Sequence, residues 1–162
     1  MSRAFVREGD GAVALPERAL SPHPNLVTAD GLAQIEAQVH ALEAARSAAR
    51  AAQIAGTGFA DAATLATIER DLRYWAARKA SARLITPAAT PDAVRFGVEV
   101  TLRALGGRAD ATRVLRIVGE DEADPARGLV SWVSPAAQKL IGARIGDEVE
   151  FAGVRYEIDA LR

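Results

Sequence analysis

The spacing of apolar residues changes character along the chain. Leu32, Ile35, Val39, Leu42, Arg46 and Ala49 follow a 3-4-3-4-3 spacing, the seam of a heptad interrupted by one arginine. Thr28 or Asp30 is placed to cap the start of this helix. Gly56-Thr57-Gly58 breaks it, and Asp61 is placed to cap a second helix in which Leu65, Ile68, Leu72, Trp75, Lys79 and Ala82 repeat the spacing. That helix ends before Pro87, with Pro91 close behind. A short glycine turn between helices of similar length makes the second return along the first, so an antiparallel hairpin is expected over 28–86. At 1.5 Å per residue, some 25 residues make a rod of roughly 38 Å. With no third element to bury its flanks, the rod is expected to project from a body.

The body is expected over 87–162. Val94, Phe96, Val98, Val100 and Leu102 alternate with polar or small residues, and Val114 with Arg116-Ile117-Val118 does so less cleanly. Gly128 to Val133 reads as another strand. Ser134-Pro135 then opens a short helix, with serine as cap and proline in the first turn, ending at Gly142. Gly146-Asp147 turns the chain into Glu148–Phe151, and Ala152-Gly153 is a tight hairpin turn into Val154–Ile158. About five antiparallel strands and one short helix describe a small α+β domain. Residues 1–27 hold three of the seven prolines and no sustained periodicity, and read as an extended arm, ordered where it packs on something else.

Composition narrows the chemistry. Of 162 residues, 49% are hydrophobic and 25% charged, as in a globular protein rather than a disordered one. A net charge of −1 argues against binding nucleic acid through bulk charge. Zero cysteines exclude disulfides, thiolate zinc sites and a cysteine nucleophile, and fit a reducing cytoplasm. No apolar run approaches the ~18 residues that span a bilayer, so no membrane partner is expected. Of the 36 alanines, 21 fall between Thr28 and Thr90, which favours closely packed helices there.

The stretch Arg116-Ile-Val-Gly-Glu-Asp-Glu-Ala-Asp124, then Gly128-Leu-Val-Ser-Trp-Val-Ser-Pro135, Leu140-Ile-Gly142 and Ile145-Gly-Asp-Glu-Val149 resembles the bacterial Gre transcription elongation factors, GreA and GreB. The resemblance covers nearly the whole length, and the opening MSRAFV with Pro16-Glu17-Arg18 and Ser21–Asn25 looks like the GreB-type branch. It implies an FKBP-like C-terminal domain docked on the rim of the RNA polymerase secondary channel, with the coiled coil entering toward the active site. A Ser-Pro loop contributes to polymerase contact in this family, and here it is carried by Ser134 and Pro135. Where the family often has Asp or Asn before this serine, the chain has Val133.

Cleavage-stimulating members carry two acidic side chains at the hairpin tip, which help hold a second Mg²⁺ in the polymerase. Such a hard cation needs oxygen ligands. Aligned on Gly56, this chain has Thr57 and Ala60 at the acidic positions, and only Asp61 is anionic. The resemblance therefore implies a factor that binds polymerase without efficiently stimulating cleavage, the runner-up being an active cleavage factor despite the altered tip.

Other residues carry two readings each. Asp61 is a tip ligand or a helix cap. Arg70, Arg73, Arg78, Lys79 and Arg83 form a basic face touching nascent RNA or DNA, or are solvated charges. Phe59, beside Gly58, meets polymerase or nucleic acid, or closes the turn. The acidic run Glu120, Asp121, Glu122, Asp124 is expected as a solvated turn, and Trp75 as packing at the base of the hairpin. His23 and His40 suggest no metal site, and no cofactor is expected. No nucleophile-base-acid set or phosphate-binding glycine loop suggests catalysis by the chain itself. From other classes, an FKBP-like prolyl isomerase would need a pocket of several aromatics, and a coiled-coil adaptor would dimerise where a channel-entering regulator is expected as a monomer.

Overall fold

The computed structural model describes residues 15–56, 62–106, 112–151 and 153–162. Two long helices, α1 (Ala29–Ile54) and α2 (Ala62–Ser81), follow a two-residue strand β1 (Leu26–Val27). Thr28 precedes α1 and its hydroxyl accepts from the Gly31 amide at 2.9 Å, so of the two caps expected Thr28 is the one used. The antiparallel course follows from two ion pairs, Arg50–Glu69 at 2.6 Å and Glu36–Lys79 at 3.3 Å: one number rises as the other falls. Ile35, Ala49 and Leu72 of the seam are buried, while Leu32, Val39, Leu42, Leu65, Ile68 and Trp75 are half-buried. Lys79, at a seam position, is exposed; the buried side chain at that end of α2 is its neighbour Arg78, at 3% exposure.

After α2, β2 (Arg83–Leu84) pairs in parallel with β1, Leu26 opposite Arg83. A five-stranded sheet follows, with β3 (Glu99–Leu105), β4 (Thr112–Val118), β5 (Leu129–Ser131), β6 (Glu148–Phe151) and β7 (Val154–Leu161) in the order β5-β4-β3-β7-β6. The short helix α3 (Pro135–Leu140) lies between β5 and β6 in sequence. Period-two alternation buries Val100 and Leu102 from β3, Leu115 and Ile117 from β4 and Ile158 from β7, and Ala137 and Leu140 of α3 close over them. Among the described residues no helix is long and apolar enough to cross a membrane.

Two details differ from the sequence expectation. The sheet is mixed: β5 runs parallel to β4, Arg116 opposite Leu129, because residues 119–128 carry the chain back before it enters β5. Gly128 ends that return at φ +77°, a left-handed conformation that a side chain disfavours. The alternation from Val94 to Val98 is also not strand. Gly97 sits at φ +83° and Val98 closes a turn onto the Arg95 carbonyl, so β3 begins only at Glu99 although Val94 and Val98 are both buried in the core.

Within the described residues the chain forms two compact units. One takes in the chain up to Leu20 and Ala37–Ala77; the other takes in Ser21–Glu36 and Arg78–Arg162.

Candidate functional site

Three groups of side chains carry the chemistry that the sequence pointed to. The first surrounds Arg78, at the end of α2. Its Nε donates to Asp121 Oδ2 at 2.6 Å, and its Nη2 lies 4.0 Å from Glu120. Asn25 Nδ2 donates to the Arg78 carbonyl at 2.6 Å and to Ser81 Oγ at 3.2 Å, joining the segment before α1 to the end of α2. The next acid, Glu122, is 6% exposed and accepts from the Thr28 hydroxyl at 2.5 Å. Asp124 accepts from the Ala126 amide and caps the 3₁₀ turn Pro125–Arg127. The acidic run is thus not a solvated turn. Three of its four carboxylates are bound to named partners, and Arg78 is neither a solvated charge nor part of an exposed basic face. Burial explains the difference, because a guanidinium withdrawn from water persists only with a paired carboxylate.

The second group lies on α2 farther from that end. Arg73 donates to Glu17 Oε1 through Nε at 3.0 Å and Nη2 at 2.5 Å. The hydrogen bond to Glu17 holds the Arg73 guanidinium above its ordinary value; desolvation opposes this, and the charges of Glu17 and Glu69 add to it. Arg70 donates to Asp71 at 2.9 and 3.0 Å. Arg18 lies 3.7 Å from Asp71, with its guanidinium carbon 3.8 Å from the Tyr74 ring centre. Tyr74 in turn meets Trp75 edge-on at 5.2 Å. Arg70, Arg73, Arg78 and Lys79 therefore each face a carboxylate. The pairing of Arg73 with Glu17 was invisible in the sequence, since one acid in an aperiodic segment gives no signal.

The third group is the corner between β5 and α3. Ser134 caps α3, its hydroxyl accepting from the Ala137 amide at 3.2 Å, and its own amide donates to the Ser131 carbonyl at 2.9 Å. Pro135 fills the first helical position and is exposed, where its missing N–H costs nothing. Gln138 Nε2 donates to the Trp132 carbonyl at 2.7 Å, and His23 meets the Trp132 ring edge-on at 6.0 Å. The corner is rigid by these bonds and presents a proline ring at the surface. Thr57, Gly58, Phe59 and Asp61 lie outside the described residues.

A cavity of about 170 Å³ beside β3 is lined by Ile85, Thr86, Pro87, Pro91, Arg95 and Phe96 among others. Among the described residues Phe96 is the aromatic of its lining, while Trp132 and Tyr156 pack against the core of the sheet.

Residues 89–159 match the family model described as the C-terminal part of the transcription elongation factors GreA/GreB. The chain is 40% identical over 84 residues to transcription elongation factor GreB of Neisseria meningitidis serogroup A, covering 51% of this chain and 50% of that protein. It is 39% identical over 85 residues to transcription elongation factor GreA of Paracoccus denitrificans, covering 50% of this chain and 53% of that one. The chain thus spans about half the length of the curated relatives it matches. Among solved structures, the GreA/GreB factor of Nitrosomonas europaea aligns over 84% of this chain and 97% of its own, at 17% identity and a TM-score of 0.40.

Proposed function

We propose that this chain, whose residues 89–159 match the C-terminal part of the GreA/GreB transcription elongation factors, is a member of that family that regulates elongation by binding RNA polymerase and does so without efficiently stimulating transcript cleavage. The match over 89–159 is the observation that carries the polymerase as partner. The C-terminal domain docks at the rim of the secondary channel through the corner of Ser134 and Pro135. A capped, proline-started helix suits this role, because its surface is fixed before binding and little conformational entropy is lost on contact. The hairpin of α1 and α2 enters the channel as a monomer, and its tip changes access to the polymerase active site.

The tip decides the second half of the reading. Thr57 and Ala60 offer a hydroxyl and a methyl where two carboxylates would be needed to hold a second Mg²⁺. The chain is a non-catalytic regulator, and any cleavage chemistry is the polymerase's own.

Co-purification with RNA polymerase core enzyme tests the docking. Aspartate caps helices as well as serine does, so Ser134→Asp keeps α3 while adding a charge to the corner. Combined with Pro135→Ala, it is expected to weaken retention on the polymerase about tenfold. Undiminished retention would move the contact elsewhere on the chain.

A further inference from the structure

A second cavity, of about 340 Å³, lies between the start of α1 and the β4–β5 edge of the sheet, wholly within the unit of Ser21–Glu36 and Arg78–Arg162. Asp30, Gln34, Arg116, Glu122, Arg127 and Leu129 line it, with Ala33. Its walls carry charges of both signs that do not satisfy one another. Glu122 is 6% exposed and accepts from the Thr28 hydroxyl at 2.5 Å, but among the described residues no cation pairs with it. A Cβ on Gly31 would stand 2.5 Å from Glu122 Oε2, so glycine there is what admits the carboxylate beside the helix. A carboxylate withdrawn from water calls for a cation, and a hydroxyl supplies only one hydrogen bond. The guanidinium of Arg127 is exposed and has no acid partner among the described residues. Arg116 gives Nη2 to Glu99 at 3.1 Å, while its buried Nε has no acceptor. The Arg116 amide donates to the Gly128 carbonyl at 2.8 Å, which draws the residue after Arg127 onto β4 and sets both arginines along one wall.

We propose that this cavity binds a small zwitterion, a free aliphatic amino acid, with its carboxylate on Arg127 and Arg116 Nε and its ammonium against Glu122 and Asp30. A guanidinium takes a carboxylate through paired N–H groups, and the buried Glu122 gains the cation it lacks. A plain anion would gain the arginines but meet two acids, and a plain cation would meet the reverse. No aromatic ring lines the cavity among the described residues, so a nucleobase has nothing to stack on. Leu129 and Ala33 offer apolar surface to a short aliphatic chain. The site shares no residue with the Ser134-Pro135 corner or the hairpin tip, and its test needs no polymerase.

The full chain is titrated with L-valine and, as a longer dipole, with γ-aminobutyrate, while nitrogen–proton correlation NMR follows the arginine Nε–H signals. At least one of the two should shift the Arg116 and Arg127 signals with a dissociation constant on the order of 1 mM, the strength open to so few atoms. Isovalerate and butyrate, which lack the ammonium, isobutylamine and propylamine, which lack the carboxylate, and inorganic phosphate should each bind about tenfold more weakly. Glu122→Gln keeps an acceptor for Thr28 and should erase the preference for the zwitterion over its plain carboxylate. Arg127→Ala should weaken zwitterion binding about tenfold. The proposal is overturned if neither zwitterion binds, which is also the result if Arg127 closes onto Glu122 in solution. A plain anion binding as tightly as the zwitterion, a preference that survives Glu122→Gln, or affinity unchanged by Arg127→Ala overturns it equally. Circular dichroism checks each variant; should Glu122→Gln not fold, Arg127→Ala, at an exposed position, decides alone.

Discussion

Arg78 and Lys79 are neighbours in sequence with opposite fates, and replacing each by alanine separates burial from charge. The Arg78 side chain is 3% exposed and its partner Asp121 14%, bonded at 2.6 Å. Removing one member of a buried pair leaves the other charge unpaired, which costs about 3–5 kcal/mol. In a chain of this size each kcal/mol moves the melting temperature by about 2–4 °C, so Arg78→Ala should lower it by roughly 6 to 20 °C. Lys79 pairs with Glu36 at 3.3 Å with both side chains about half exposed, and Lys79→Ala should cost under about 0.5 kcal/mol. Replacing both members of the bonded pair with apolar side chains, Arg78→Met with Asp121→Leu, should recover part of the loss, because Asp121 is no longer left unpaired while Glu120, 4.0 Å from the guanidinium, still loses its cation. Urea denaturation followed by circular dichroism, with thermal melts alongside, measures all three. An Arg78→Ala variant that loses less than about 1 kcal/mol would refute the reasoning and return Arg78 to the exposed basic face.

Two further variants probe the sheet and its corner. An alanine Cβ at Gly128 would stand 2.6 Å from the Val114 carbonyl oxygen, at a φ of +77°. Gly128→Ala should therefore cost about 3 kcal/mol in urea unfolding, by strain plus overpacking, and a loss below about 1 kcal/mol would contradict the parallel return into β5. Ser134→Ala removes the cap of α3 and should cost about 1 kcal/mol in the same assay, whereas Ser134→Asp should be near neutral.

Local signals in the sequence proved readable and distant ones did not. The Ser134-Pro135 start of α3 rests on neighbouring residues alone, and the serine caps the helix as expected. The seam from Leu32 to Ala49 rests on periodicity, which packing enforces. At the far end of α2, periodicity points to Lys79, but the buried position belongs to Arg78. Its stabilising partner Asp121 lies 43 residues on, and nothing local to either residue announces the other. The acidic run reads as solvent-facing for the same reason, since Thr28, the partner of Glu122, is 94 residues away. The direction of β5 is equally hidden: three residues carry no sign of whether they run with or against β4, and the connection before them decides it. Gly97 interrupts an otherwise regular alternation because its backbone turns at positive φ, a possibility any glycine leaves open. Glu17 and Arg18 are ordinary charges until the fold lays them against Arg73 and Tyr74.

The proposed reading, a polymerase-binding factor with an acid-poor tip, is tested most directly by transcript cleavage in stalled elongation complexes. The chain should remain bound to the complexes yet leave the cleavage rate at the polymerase's intrinsic level, while the substitutions Thr57→Asp and Ala60→Glu, restoring two carboxylates, should raise it. Rapid cleavage by the unaltered chain, abolished by Asp61→Ala, would contradict the account.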